Sequence, residues 1–574
     1  MYIDYVPNKK LFRAIYLRES RRDGKKVIKK TISNITHWEP KKISALRLVL
    51  NGETRIGTES FKIIRSLPHG NVTAVLGTMK RLNFSSLLSL LPKKRNLILA
   101  LIADRIITHQ SKYATAKALN PQTAKSTLFQ ELKLSIVTTY DLYAAMDSLL
   151  KKKTVIEKQL AKKHLKDNAL VLYDLTSVYF EGTKCLLTRV GHSKEGKKGT
   201  LQIMVGLLTN KEGIPIATEV FEGNVLDHTT LVAQVQKVSD TFGITKLIIV
   251  GDRGTIISKR IEELKKIEGL AFLTALKSRE IQALIIEGSL KLSVFDETDL
   301  AEIQSPLYPN ERLVCCRNLF LAKERYEKRE ALLQATGEEL KKIGIATRSK
   351  KRSLKGKANI GLRVGKVIGK YKMGKHFDLT IKSTEFSYQR DEASIQREQL
   401  LDGVYIIRTP LSKEDASSSE VVTIYKGLAV VERAFRCMKT TDLQIRPVYH
   451  HLSGRVKAHV FLCMLAYYVE WHMRQLLAPL LFEDEDKEEA QKARISVVAK
   501  AVRSDKAKRK DAKKVTDDGF PVQSYQSLLL DLGTLTRNTV APKLDDESLT
   551  FEQNTEPTVL QKKALDLLQV SVYL

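Results

Sequence analysis

The spacing of hydrophobic and polar positions changes repeatedly along this chain. Residues 14–33, "AIYLRESRRDGKKVIKKTIS", are strand-like and carry Asp23-Gly24, so the pattern predicts a β-hairpin with a two-residue turn. Over 97–119 and 138–165 the apolar residues recur every three or four positions, which predicts helices. From residue 168 the pattern turns to strands: "NALVLYDLTSVYFEG" (168–182), "LQIMVGLLTN" (201–210) and "IPIATEVFEGN" (214–224). A helix is predicted over 229–243, a short buried strand in "KLIIVGDRG" (246–254), a helix over 258–269 and a strand in "AFLTALK" (271–277).

Three strands, a helix, a strand, a helix and a strand follow the order of a ribonuclease H-like α/β fold. That fold requires one more core helix, and the next convincing candidate is "YKGLAVVERAFRCMK" (425–439). The stretch between them, 280–420, is then an insertion. It holds short strands at 291–296, 312–318, 377–383 and 403–409 and a long charged helix at 319–343. The expected organisation is a basic β-hairpin region (1–60), a helical, DNA-binding domain (61–165), the first part of a catalytic core (166–279), a β-rich insertion domain (280–420), the last part of the core (421–475) and a basic helical C-terminal region (476–574). No internal repeat is evident, and 454–477 reads as a strongly apolar helix.

Charge narrows the class of partner. The 574 residues carry 96 Lys and Arg against 65 Asp and Glu, a net +31. Such an excess points to a polyanion, nucleic acid before membrane. The apolar runs at 96–103 and 460–469 are too short to span a bilayer, and the N-terminus lacks a secretory apolar stretch. Five cysteines form no CxxC pair, which fits a reducing, cytoplasmic setting. Basic residues concentrate at 1–50 (thirteen against four acidic), at 341–380 (thirteen against one) and at 491–515 (ten against two). The first is expected to contact DNA and the last to be a solvated run.

Against this background a few carboxylates stand out. Asp174 lies within an apolar and aromatic strand, where an unpaired charge is costly. Asp252 follows a hydrophobic strand and precedes a helix, at the strand end where open α/β sheets bind ligands. Either could instead be a turn or capping residue. Glu432 sits on the 425–439 helix. Tyr425 and Lys439 are each seven residues from Glu432, just under two turns, and Arg436 is one turn on, so all four share a face. Carboxylates on the first strand, the fourth strand and the last core helix can converge to hold two Mg²⁺ ions for in-line phosphoryl displacement. Tyr425 and Lys439 can hold DNA phosphates nearby.

These residues carry a resemblance. The sequence resembles the DDE transposases of bacterial insertion sequences, in the group with a Tyr-x2-Arg-x3-Glu-x6-Lys signature and the subgroup with a long β-rich insertion. Tyr425, Glu432 and Lys439 match that spacing; Leu428 stands where the signature has Arg, and Arg433 or Arg436 could compensate. "YDLTSVYFEG" and "GDRG" resemble the motifs of the two aspartates. The joining stretch 191–231 fits except at "KEGKKGT" (194–200), and 401–409 and 445–468 fit the subgroup. The resemblance spans about residues 10–475 and implies cut-and-paste transposition. Water attacks at the terminal inverted repeats, the freed 3′-OH groups then attack target DNA, and Asp174, Asp252 and Glu432 hold two Mg²⁺ (or Mn²⁺). It implies a homodimer on paired ends of double-stranded DNA. The rival expectations are a decayed or domesticated DNA-binding protein on the same fold, and a metal nuclease without strand transfer.

Other motifs weigh less. "GKYKMGKH" (369–376) nearly matches a P-loop, but His376 replaces the Ser/Thr and a basic patch is the expected reading. His450, His451 and His459 are expected to pack or lie near DNA rather than bind zinc. Cys315-Cys316 reads as an apolar strand pair. Glu181, Glu222 and Asp227 read as supporting or surface groups.

Overall fold

The computed structural model describes residues 1–7, 14–52, 61–166, 169–191, 199–225, 227–244, 246–350, 353–542 and 550–572. In chain order these form β1 (Tyr2–Val6), β2 (Ala14–Asp23), β3 (Lys26–Asn34), α1 (Pro40–Leu50), β4 (Phe61–Pro68), α2 (Gly70–Arg81), α3 (Phe84–Leu88), α4 (Pro92–Ile107), α5 (Lys112–Ala118), α6 (Leu128–Glu131) and α7 (Thr139–His164). Next come β5 (Ala169–Tyr179), β6 (Arg189–Val190), β7 (Leu201–Asn210), β8 (Pro215–Glu222), α8 (Asp227–Gln236), β9 (Leu247–Val250), α9 (Ser258–Leu264), β10 (Leu270–Ala275) and α10 (Ser278–Glu287). Then follow β11 (Leu300–Ile303), β12 (Arg312–Arg317), α11 (Leu319–Arg348), α12 (Lys357–Tyr371), β13 (Phe377–Ile381), β14 (Phe386–Arg390), α13 (Glu392–Gln399) and β15 (Val404–Thr409). The last elements are α14 (Ser418–Lys426), α15 (Leu428–Arg436), α16 (Ser453–Leu477), α17 (Lys487–Lys492), α18 (Asp505–Lys513), α19 (Tyr525–Gly533), β16 (Thr536–Pro542), β17 (Phe551–Asn554) and α20 (Val559–Leu568).

The chain divides into two units, Met1–Leu67 with Thr536–Glu556, and Pro68–Leu535 with Pro557–Leu574. The smaller unit holds two three-stranded sheets, β1-β2-β3 and β17-β16-β4. The β2–β3 hairpin turns at Gly24-Lys25, one residue later than Asp23-Gly24 implied: Asp23 pairs with Lys26, and Gly24 takes the left-handed conformation such a turn needs. Strands β4, β16 and β17 fall where the pattern suggested helices. Their short, half-exposed apolar stretches lack a strong period, and the pairing partner of β4 lies near the other end of the chain.

The larger unit is built on a nine-stranded mixed sheet in the order β11-β12-β15-β10-β9-β5-β7-β6, with β8 paired to β7. Strands β5, β9 and β10 run parallel, and β7 and β8 return antiparallel. Helix α16 is buried around almost its whole circumference, as its uninterrupted apolar run requires. It packs on β8, α7, α4, α2 and α20. Of the four strands expected within the insertion, three form, β12, β13 and β15, and one does not. β12 and β15 extend the main sheet through β10, joined by β11, because their centres are apolar on both faces. The stretch 291–296 is a short 3₁₀ turn (Leu292–Phe295), not a strand.

Residues 319–399 gather around a small core of their own, in which Leu333, Leu340, Ile343, Ile360, Val364, Phe377, Phe386 and Ile395 are buried. Arg329 of α11 ties this group to the sheet through a bidentate pair with Asp402 (3.0 and 2.6 Å), with both side chains buried. Helix α12 is amphipathic, with Ile360 and Val364 inward. Its Gly361, Gly365 and Gly369 are less easily explained. A Cβ at any of them would meet nothing within 4 Å, so no packing among the described residues calls for them. Each weakens the helix by about 1 kcal/mol relative to Ala. The 491–515 run is not simply solvated: Lys510 is buried and donates to the carbonyls of Ala478 (2.8 Å) and Glu483 (2.9 Å) and to Glu485 (3.0 Å).

Replacing Arg329 by Met leaves Asp402 buried without its partner. We expect a loss of about 3 kcal/mol, read by urea denaturation; unchanged stability would show that the pair does not hold α11 to the sheet.

Candidate active site

The parallel pairing of β5 and β9 sets the level of two of the carboxylates. The pairing ends at Leu172 opposite Val250, and each aspartate follows two residues later, Asp174 still within β5 and Asp252 in the turn beyond β9. Asp174 is half-buried, and its Oδ1 accepts from the Leu175 amide (2.8 Å). Asp252 Oδ1 accepts from the amides of Gly254 (3.0 Å) and Thr255 (2.7 Å). One oxygen of Asp252 therefore shapes the turn that follows the strand, as a capping residue would.

The third carboxylate arrives on a broken helix. The amphipathic pattern of 425–439 suggested one helix, but α14 ends at Lys426 and α15 begins at Leu428. At the junction the Gly427 amide bonds back to both Thr423 and Ile424. A π-turn, Cys437–Thr441, follows α15. The pieces lie across β5. A Cβ on Gly427 would sit 3.7 Å from Leu172 Cδ1, and Lys439 Nζ donates to Thr176 Oγ1 at 2.9 Å. Leu172, Asp174 and Thr176 alternate onto one face of β5. Glu432, between Gly427 and Lys439, is thus on the stretch of helix that crosses the level of Asp174.

Asp252, Glu432, Tyr425 and Leu428 line a cleft of about 1330 Å³. Its far wall comes from α11 and α13 and carries Arg325, Lys328 and Arg397. Burial, and then the charges of Asp252 and Glu432, push the Tyr425 phenol up to about 12, so it stays protonated and donates at neutral pH. Lys426 borders the same cleft and donates to three carbonyls, Val497 (2.6 Å), Val498 (2.8 Å) and Ala499 (2.9 Å). Burial and the Arg494 charge lower it to about 8. Arg433 does not join the others. It is about 100° around the helix from Glu432, and its charge acts on Tyr467 of α16. Arg436 is exposed, one turn past Glu432.

The sequence reading missed Arg253, whose place beside Asp252 was a usable signal. It also missed Thr176, which accepts from Lys439, Lys426 beside Tyr425, and the cations of α11 and α13, which long-range packing brings to the cleft. Among the described residues, one trio of possible metal ligands closes to within 4.8 Å: Cys437, Asp442 and Glu470. Arg474 already serves that trio, bonding Asp442 at 2.9 Å and Glu470 at 2.7 Å, so its cation is built in. Burial pushes the Glu470 carboxyl up to about 7.

The remaining motifs are structural. His459 is buried and engages the Ile445 carbonyl (3.0 Å), burial lowers His450 to about 4, and His451 is exposed. Cys315 and Cys316 are buried on β12. "GKYKMGKH" is the end of a helix and a 3₁₀ turn, without the strand-to-helix order of a P-loop. Most of "KEGKKGT" and the Asp227 side chain lie outside the described residues. No helix among the described residues is long and apolar enough to cross a membrane.

The family model for the transposase DDE domain matches residues 166–469, more than half of the chain, and its span includes Asp174, Asp252 and Glu432. The chain belongs to the DDE transposase family. A search of curated proteins finds no match. Among solved structures, the chain is similar to the piggyBac transposase synaptic complex with hairpin DNA, at a TM-score of 0.33 and 8% identity, over 81% of this chain and 70% of that one. That likeness is too distant to place residues.

Gly213, in the turn between β7 and β8, has φ +88°, and a Cβ there would collide with Val430 of α15. Gly213→Ala is expected to lift α15 from the sheet. DNA cleavage should fall at least about tenfold while DNA binding persists; equal cleavage would show that the position of α15 does not set activity.

Proposed function

We propose that this protein is an active cut-and-paste transposase of an insertion sequence, with Asp174, Asp252 and Glu432 as the ligands of two Mg²⁺ ions. The observation that supports the reading is the parallel pairing of β5 and β9, which ends two residues before both Asp174 and Asp252, with the helix that carries Glu432 laid across β5. The strand order β8-β7-β5-β9-β10 supports a ribonuclease H-like core. The donor set fits the metal: the three groups are carboxylates, and hard oxygen ligands suit Mg²⁺. The lining of the cleft offers no imidazole or thiol that would favour zinc. Bound there, the ions would offset phosphate charge, activate the attacking oxygen and stabilise the leaving one.

The chain's own residues do the rest. Asp252, with one oxygen held by two amides, keeps a fixed orientation. Tyr425, protonated at neutral pH, donates a hydrogen bond to a phosphate oxygen. Lys439 and Arg436 supply charge along the helix beyond Glu432, and Arg253 beside Asp252 does the same at the strand end. Leu428 gives the cleft an apolar contact where the signature has a guanidinium. Two copies of the chain acting on paired terminal inverted repeats complete the proposal, with hydrolysis first and strand transfer second.

The test uses purified protein, Mg²⁺ and a DNA fragment bearing the element's ends. We expect cleavage to 3′-OH ends and joining into a plasmid, abolished by a chelator. Asp174→Ala, Asp252→Ala and Glu432→Ala should each lower cutting by roughly 10³-fold or more and leave binding intact. Binding without cutting by the wild type would replace this reading with that of a DNA-binding descendant, for which Leu428 is the motivating departure. Cutting without joining would make the protein a nuclease.

A further inference from the structure

The outward face of α12 combines features that the proposed chemistry leaves unused. Arg363, Lys366 and Lys370 are exposed and follow one another at three- and four-residue spacing, which makes a cationic row along the helix. Beside that row run Gly361, Gly365 and Gly369, with open space where each Cβ would be. Leu362, between the two rows, is 67% exposed. The surrounding sequence contains no acidic residue between Glu339 and Asp378, while 341–380 holds thirteen Lys and Arg. The opposite face is fully used, with Ile360 and Val364 buried in the local core.

A solvated face explains the lysines but not the glycines, which weaken the helix along a side where nothing among the described residues approaches them. A surface without side chains beside a row of cations suits a partner that is polyanionic and comes close to the helix backbone. A second copy of this helix would bring the same positive charge against itself. We propose that the outward face of α12 docks the phosphate backbone of duplex DNA, with Arg363, Lys366 and Lys370 on the phosphates and the glycine row admitting the strand; this rests on the transposase reading. Such contacts position DNA without reading its sequence.

The full chain is titrated with a fluorescent duplex of arbitrary sequence over a range of salt. Each lost phosphate contact lowers the salt slope by about 0.9, so the triple variant Arg363→Ala/Lys366→Ala/Lys370→Ala should lose about 2.7 from the slope and at least about tenfold in affinity at low salt. Gly365→Gln/Gly369→Gln should melt no lower than wild type, because Gln is the better helix former and the space is open. It should nevertheless bind DNA several-fold more weakly. If wild type binds DNA and either variant binds equally well, the docking surface is overturned and the transposase reading stands. If wild type binds no DNA, both fall. Sedimentation without DNA covers the remaining case: a wild-type dimer that the glutamine variant turns into monomers assigns the face to a second copy and overturns the proposal.

Discussion

The parallel pairing of β5 with β9 is the constraint on which the cleft depends. Four consecutive partners, Ala169 with Leu247 through Leu172 with Val250, fix the offset between the strands. A slip of one residue would turn a strand's side chains to the opposite face. On β5 it would put Tyr173 or Leu175 in the place of Asp174. The apolar residues of β9, with Leu247, Ile249 and Val250 buried, hold the register, and the carboxylate comes only after the strand has ended. The same packing that stabilises the sheet therefore delivers Asp252 to its level. Helix α15 depends in turn on β5, because Leu172 and Thr176 lie beneath its two ends.

Two acidic groupings in this protein solve the same electrostatic problem in opposite ways. Asp442 and Glu470 are buried, and a buried carboxylate without a counter-charge is costly. Arg474 meets both of them within 3 Å and rests over the ring of Tyr525. The three carboxylates of the expected site are less buried: Asp174 and Asp252 are half-buried and Glu432 is exposed, and of the three Asp252 and Glu432 line the cleft. Lys439 is turned to Thr176 and Lys426 to the 497–499 backbone. Solvent access thus separates the buried network around Arg474 from the less buried Asp174, Asp252 and Glu432.

What could be read from the sequence follows the range of the forces involved. The strands and helices of 168–278 were legible because their apolar runs and turns are local signals. So were the positions of Asp174 and Asp252, each a charge within or just after an apolar strand. The break at Gly427 was not, since one glycine inside an amphipathic pattern leaves the period intact. The attachment of β12 and β15 to the main sheet was not legible either: it rests on partners such as Cys315 and Ile406, about ninety positions apart. Lys510 looked like one more member of a solvated run, and only the carbonyls of Ala478 and Glu483 make it an internal group.

The sheet β17-β16-β4 has a consequence for how the molecule is made. Its strands β4 and β16 start at Phe61 and Thr536, some 475 positions apart. At about 5–20 residues per second, β4 leaves the ribosome roughly 25–95 s before its partner is synthesised. In that interval Ile63 and Ile64 belong to an unpaired strand, and the sheet cannot exist. The larger unit, whose strands β5 to β15 emerge earlier, can meanwhile begin to assemble. A message truncated or frame-shifted after residue 480 would encode every carboxylate of the cleft and yet leave β4 without its partner. Synthesis through Asn554 is therefore a physical checkpoint on the smaller unit, imposed by topology alone.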